Sequence, residues 1–292
     1  MASSLRLAVL KCDTPMPSVI DVAGDYQQIF QALLQDSLTS IPGRSQAFNT
    51  PDIGHAPVSF TLDAYDVVTQ MEYPPDDVEY DGLLISGSAK SAYENLEWID
   101  RLVVYVRRII SEKPKMKIFG ICFGHQIVAR ALGESCVKNR AGWEVAVTRV
   151  QLSPLGKAIF GSQVLDIQQM HQDHVPTVPP NAYLLGSTTA TPNQGMVVFH
   201  PSSTPSAESL QATSPVVPLS SIHILTLQGH PEFTPAIVSC VVDARRELLG
   251  EQLAADAKSR VGGLPGRSIT DGRACDGVGT VGKVMWGILG VA

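Results

Sequence analysis

Cys122 sits in Gly120-Ile121-Cys122-Phe123-Gly124-His125-Gln126, directly after the apolar run Lys117-Ile118-Phe119. A distant stretch, Gln228-Gly229-His230-Pro231-Glu232-Phe233, follows the apolar run of residues 222–227. Together they supply a thiol, an imidazole and a carboxylate, the set needed for a nucleophile, a base and a group that orients the base. A thiol at the tip of a tight strand-to-helix turn needs small residues two before and two after it, and Gly120 and Gly124 fill both places. In such an elbow the amide after the nucleophile helps to bind the oxyanion; here that amide is the Phe123 N–H. A helix over residues 125–132 would direct its positive N-terminal end at the sulfur, which favours thiolate. His230 and Glu232 are two apart at the end of an expected strand, where alternation places i and i+2 on one face. The carboxylate then reaches one ring nitrogen, fixes the tautomer and leaves the other nitrogen for Cys122. Pro231 lacks a donor, so the strand is expected to end there.

The elements that must position these residues read as an α/β fold. Apolar runs alternate with helical spacing, the sign of a mostly parallel central sheet flanked by helices. Strands are expected at residues 5–10, 83–85, 144–152, 164–169, 195–199 and 222–227, with one more leading into the elbow. Helices are expected at 26–38, 98–110 and 235–249. Ligands of open α/β sheets bind beyond the carboxyl ends of strands, and Gly87, Cys122 and His230 all fall at such ends.

The combination resembles the class I glutamine amidotransferase family, whose signatures are a Gly-x-Cys-x-Gly-x-Gln elbow and a later Gly-His-Pro-Glu. Ile85-Ser86-Gly87-Ser88, Met170-His171-Gln172-Asp173-His174-Val175 and the Gln228-to-Phe233 stretch are similar to its stand-alone branch, which includes γ-glutamyl peptidases. The resemblance covers roughly residues 5–249 and, more weakly, 271–289. It implies a flavodoxin-like core and a cysteine attack on a γ-glutamyl amide. A γ-glutamyl thioester would follow, with release of ammonia or an amine before water completes hydrolysis. By this resemblance Cys122 is the nucleophile, His230 the acid and base, and Glu232 the orienter. Gly87 N–H joins Phe123 N–H as the oxyanion hole, while Gln126 and the loop around His171 and Asp173 hold the glutamyl end. No cofactor is implied.

The 292 residues, 44% of them hydrophobic, are ample for one large core. They read as one catalytic domain over residues 1–250, with insertions near 39–59 and 200–221, followed by a Gly-rich extension over 251–292. The second insertion holds four prolines and seven serines, a composition of exposed loops, and immediately precedes the strand leading to His230. A net charge of −6 without a long basic block argues against nucleic acid as a partner. Neither a signal peptide nor a run of about 18 apolar residues is present, so the expectation is a cytoplasmic protein without membrane contact. Five widely separated cysteines without a Cys-x-x-Cys pair speak against a disulfide framework or zinc ribbon. Cys136 and Cys240 read as small buried side chains, whereas Cys12 follows the first strand and borders the site region.

Competing motifs are weaker. Gly82-x4-Gly87-Ser88 has serine where a phosphate-binding loop needs lysine directly after the second glycine. His171, Asp173 and His174 are of metal-ligating types, but they lack the i, i+4 histidine pair of a helical zinc motif, and no metal is expected. His125 reads as structural. Three readings of the activity stay open: a stand-alone hydrolase of γ-glutamyl peptides, glutathione conjugates or glutamine; a glutaminase subunit feeding a separate synthetase partner; and a Cys-His-Glu enzyme redirected to a non-glutamyl substrate. A scaffold without catalysis is disfavoured by the intact Cys122, His230 and Glu232.

Overall fold

A computed structural model describes residues 3–41, 58–203, 216–265 and 275–291. The interiors of both expected insertions and part of the glycine-rich stretch lie outside the described residues. The chain begins with β1 (Ser3–Lys11), α1 (Pro17–Ala23), α2 (Tyr26–Thr39), β2 (Val58–Asp66), β3 (Gly82–Ile85), α3 (Glu97–Glu112), β4 (Lys117–Ile121) and α4 (Phe123–Ala131). It continues through β5 (Val137–Lys138), β6 (Glu144–Leu152), α5 (Pro154–Phe160), β7 (Val164–His171), β8 (Asp173–His174), β9 (Tyr183–Ser187), β10 (Gly195–Phe199) and β11 (Ile222–Leu227). The last elements are α6 (Pro235–Ala244), α7 (Arg246–Leu249), α8 (Glu251–Arg260), a π-helical turn (Gly277–Gly282) and α9 (Lys283–Ile288).

Nine strands form one sheet in the order β2-β1-β3-β4-β11-β10-β9-β6-β7. The first five in that order run parallel; from β11 onward every neighbouring pair is antiparallel. The expected parallel sheet is therefore one half of a mixed sheet. β3 and β11 are buried throughout, as continuous apolar runs covered on both faces should be. Alternation along β1 feeds two apolar layers. Leu7 and Val9 join Phe30, Leu34, Val238 and Trp286 on one face, while Ala8 and Leu10 join Ile99, Leu102, Phe123 and Ile127 on the other.

Register decides where the chemistry lies. Leu10 pairs with Ile85, Ile85 with Gly120, and Leu227 with Ile121. The carboxyl ends of β1, β3, β4 and β11 therefore share one edge of the sheet, and the segments after them, which carry Asp13, Gly87, Cys122 and Gln228, emerge together.

Local sequence sets the helix starts. Asp25 and Gln28 form a reciprocal capping box on α2, with side chain to backbone distances of 3.1 and 2.9 Å. Thr234 caps α6, whose first residue is Pro235. The helix expected over 235–249 is divided at Arg245 into α6 and α7. β2, β9, α1, α5 and α8 carry no strong sequence signal. β2, for example, buries only Leu62 fully, because it is the edge strand.

The C-terminal segment belongs to the main core. Trp286 is completely buried, and its Nε1–H donates to the Leu34 carbonyl and to Ser37 Oγ, both at 3.0 Å. Its ring meets Phe60 edge-on at 5.3 Å. Asp276 N–H donates to the Asp166 carbonyl at 2.8 Å, and Asp166 N–H donates back to Asp276 Oδ2 at 2.7 Å. Among the described residues no helix is long and apolar enough to cross a membrane. Cys12, Cys122, Cys136 and Cys240 are free thiols; Cys240 is partly exposed and the other three are buried.

Trp286→Ala removes a large buried side chain between α2 and the sheet, so urea unfolding should report a loss of about 3–5 kcal/mol. A loss below about 1 kcal/mol would mean that the tail is not part of the cooperative core.

Candidate active site

Cys122 ends β4 and caps α4 with φ 53° and ψ −103°. A non-glycine residue held there costs on the order of 1–3 kcal/mol and persists only where its surroundings enforce it. They do so here by close backbone approach. A Cβ on Gly124 would run into the Ile85 carbonyl, and one on Gly120 would lie 2.7 Å from the Gly124 oxygen. Cys122 N–H donates to the Leu227 carbonyl at 2.8 Å, so the sulfur is carried at the β4–β11 seam.

The loop after β3 lies against this turn. A Cβ on Gly87 would lie 2.9 Å from His230 Cε1 and 3.8 Å from Cys122 Cβ. Both flanks of Gly87 are pinned. Ser86 Oγ accepts from Cys12 N–H at 2.9 Å and donates to the Gly87 carbonyl at 3.0 Å. Asp13 Oδ2 accepts the Ala89 N–H at 2.6 Å. The Gly87 and Phe123 N–H groups have no hydrogen-bond partner among the described residues.

His230 Nδ1 meets Glu232 Oε1 at 2.7 Å, with both side chains almost wholly buried. That bond leaves Nε2 as the ring nitrogen available to Cys122. Phe233 stacks on the imidazole at 3.9 Å and 11°, which fixes the ring plane. The sequence anticipated the contact on the wrong grounds. β11 ends at Leu227, and Glu232 lies in a turn, so strand alternation does not bring the two together. A bridge to β7 holds the turn instead, with His230 N–H donating to the Gln168 carbonyl at 2.8 Å. Burial opposes an imidazolium, but the Glu232 and Cys122 charges and hydrogen bonds outweigh it and raise the His230 pKa well above its ordinary value.

A polar chain links this centre to the antiparallel half of the sheet. Gln228 Nε2 lies 3.6 Å from Cys122 Sγ, while Gln126 Nε2 donates to Gln228 Oε1 at 3.2 Å and to the Asp173 carbonyl at 3.1 Å. His171 Nδ1 is 3.0 Å from that same carbonyl, and its Nε2 is 3.3 Å from Glu144 Oε2. Burial works against the Glu144 charge, yet the His171 ring and the Thr188 hydroxyl hold its carboxyl below the ordinary range. Of the residues expected at the glutamyl end, Gln126 and His171 thus spend much of their polar capacity inside the protein. Asp173 keeps its carboxylate near the cleft, 3.3 Å from the Tyr93 hydroxyl. His125 is fully buried and bonded to Thr226 at 2.8 Å; burial and the neighbouring His171 lower its pKa to about 3.

Two cavities of about 240 and 370 Å³ meet at Cys122 and share Ser88, Ala89, Met170 and Arg245 as walls. The sequence assigned no role to Asp13, Ser86, Phe233 or Arg245. Ser86, Gln228 and Phe233 lie inside the quoted motifs, but nothing in their local pattern reveals Asp13 or Arg245.

A family model described as class-I glutamine amidotransferase matches residues 52–237, a span that contains Cys122, His230 and Glu232. A glutamine amidotransferase-like protein of Schizosaccharomyces pombe is 33% identical over 257 residues, 87% of this chain and 91% of that one. The chain belongs to the class I glutamine amidotransferase family. Family members similar to it include gamma-glutamyl peptidase 4 of Arabidopsis thaliana, 31% identical over 60% of this chain and 64% of that protein. A solved glutamine amidotransferase from Thermotoga maritima aligns over 98% of both chains with a TM-score of 0.63 and 15% identity, a likeness of fold.

His230 binds its proton more tightly folded than unfolded. Its contribution to stability is therefore complete below the unfolded value of about 6.5 and is lost as pH rises towards the raised folded value. Urea unfolding free energies should fall as pH rises above about 6.5, with a limiting slope of about 1.4 kcal/mol per pH unit for this group. Glu232→Gln should flatten that slope. An unchanged pH dependence in the variant contradicts the assignment.

Proposed function

We propose that this chain hydrolyses γ-glutamyl amides through a γ-glutamyl thioester on Cys122. The observation that carries the reading is a thiol on a strained elbow beside an imidazole whose far nitrogen is held by a buried carboxylate. The similarity to gamma-glutamyl peptidases supports the choice of bond.

In this reading Cys122 Sγ attacks the γ-carbonyl carbon, and the oxygen takes up negative charge between the N–H groups of Gly87 and Phe123. The C–N bond breaks as His230 gives its Nε2 proton to the leaving nitrogen. Water then attacks the thioester while His230 takes a proton from it, which releases glutamate and restores Cys122. Glu232 keeps Nδ1–H bound and stabilises the imidazolium without itself taking the proton. Acid–base action of this kind is worth about 10²–10⁴ in rate, and each oxyanion donor about 10²–10³. Gln126, His171 and Asp173 shape the polar cavity where the glutamyl end would lie, with Asp173 offering a carboxylate for its ammonium. The catalytic unit is read as residues 1–250, with the described residues of 251–291 packed onto it.

The test is glutamate release by the isolated chain from γ-glutamyl dipeptides and glutamine, without ATP or a partner, alongside intact-mass analysis. Wild type should form an adduct of glutamyl mass, and Cys122→Ala should show neither adduct nor turnover. Glu232→Gln should lower kcat by on the order of 10²-fold or more. Wild-type turnover by folded Cys122→Ala would overturn the reading.

A further inference from the structure

The two cavities that meet at Cys122 differ in chemistry. The larger is lined by Gln126, Lys138, His171, Gln172 and Asp173. The smaller is walled by Met16, Val19, Ile29, Ile237 and Val241 from α1, α2 and α6 and the segment before α1. His230 lines only the smaller one. Collapse of a tetrahedral intermediate requires the departing nitrogen to take a proton, and the group positioned to give it faces the apolar cavity. The leaving group therefore departs on that side, while the acyl portion occupies the polar side.

Size and charge narrow the leaving group further. Ammonia, the leaving group of glutamine, is about as large as a water molecule, which needs only about 10–15 Å³ of such space. The cavity offers about 240 Å³. Besides Cys122 and His230, its wall carries two charged side chains, Asp13 and Arg245. The Arg245 guanidinium forms no ion pair among the described residues and is only partly exposed. The Asp13 carboxylate favours the positive charge that builds on the nitrogen as it is protonated, and a guanidinium without an ion-pair partner suits a carboxylate.

We infer that the apolar cavity is the leaving-group subsite and takes an α-amino acid with an apolar side chain, read by Arg245 at its carboxylate. The substrate class is then a γ-glutamyl amino acid rather than glutamine. This inference rests on the hydrolase reading above and adds no chemical step. The C–N bond breaks as His230 gives one proton to the nitrogen, the amino acid leaves with a neutral amine, and it becomes a zwitterion on taking a second proton from solvent.

The experiment compares kcat/KM for γ-glutamyl-leucine, γ-glutamyl-glycine, γ-glutamyl-isopentylamide and glutamine with the intact chain. Burial of a leucine side chain should favour γ-glutamyl-leucine over glutamine by on the order of 10²-fold. The isopentylamide keeps the apolar branch and lacks the carboxylate, so the ratio of γ-glutamyl-leucine to isopentylamide isolates Arg245. In Arg245→Met that ratio should fall about tenfold, and Arg245→Lys should recover part of it. Val241→Phe fills the apolar wall and should lower γ-glutamyl-leucine relative to γ-glutamyl-glycine. Glutamine turned over as well as γ-glutamyl-leucine would overturn the inference and leave the hydrolase reading standing, as would a ratio unmoved in folded Arg245→Met. Absence of adduct and turnover with all four compounds would remove both.

Discussion

The backbone at Cys122 is the constraint on which the rest of the structure depends. A left-handed φ of 53° is unfavourable for cysteine, and it is held because α4 cannot retreat from the sheet. All but one of the residues of α4 are buried, and their packing outweighs strain confined to a single residue. Gly120 and Gly124 make the approach sterically possible, since either side chain would meet backbone. The strain and the burial are one arrangement: release of the turn would lift α4 from the apolar layer containing Phe123, Ile127 and Val128.

The second constraint is electrostatic. Burying a histidine beside a glutamate is costly unless each compensates the other. Here Nδ1 and Oε1 do so at 2.7 Å, while Glu232 Oε2 has no partner among the described residues. The site therefore holds a proton on His230 against desolvation, as the acid role proposed for it requires. The two halves of the sheet divide the work. The parallel half carries the Cys122 elbow and the Gly87 loop. The antiparallel half anchors His230 through the Gln168 carbonyl and supplies the chain from Glu144 through His171 towards Gln126.

The proposed nucleophile, base and orienter were legible because each sits in a motif whose spacing is a local steric requirement. Glycines two before and two after Cys122 are needed by the turn itself. β1, β3, β4 and β11 were equally legible, since the parts of strands covered on both faces read as largely apolar runs. The antiparallel strands β6, β7 and β10 were legible too, whereas β2 and β9 were not. β2 is half-exposed and carries no run of apolar residues, and the apolar part of β9 is only Tyr183, Leu184 and Leu185. The His230–Glu232 contact was anticipated for a reason that does not hold, because a turn can bring residues two apart together as well as a strand can.

By itself, then, the sequence determined the elbow, the paired histidine and glutamate, and the α/β character of the chain, all of which follow from interactions within a few residues. Only the tertiary structure decided that Asp13 pins the loop after β3, that Gln228 reaches the sulfur, and that Arg245 closes a cavity made by α1, α2 and α6. Asp13 and Ala89 are 76 positions apart and Gln228 and Cys122 are 106 apart, and such relations depend on strand register and helix packing. No local pattern encodes such distances, so the elbow that carries Cys122 could be read from the chain and the shape of the cleft around it could not.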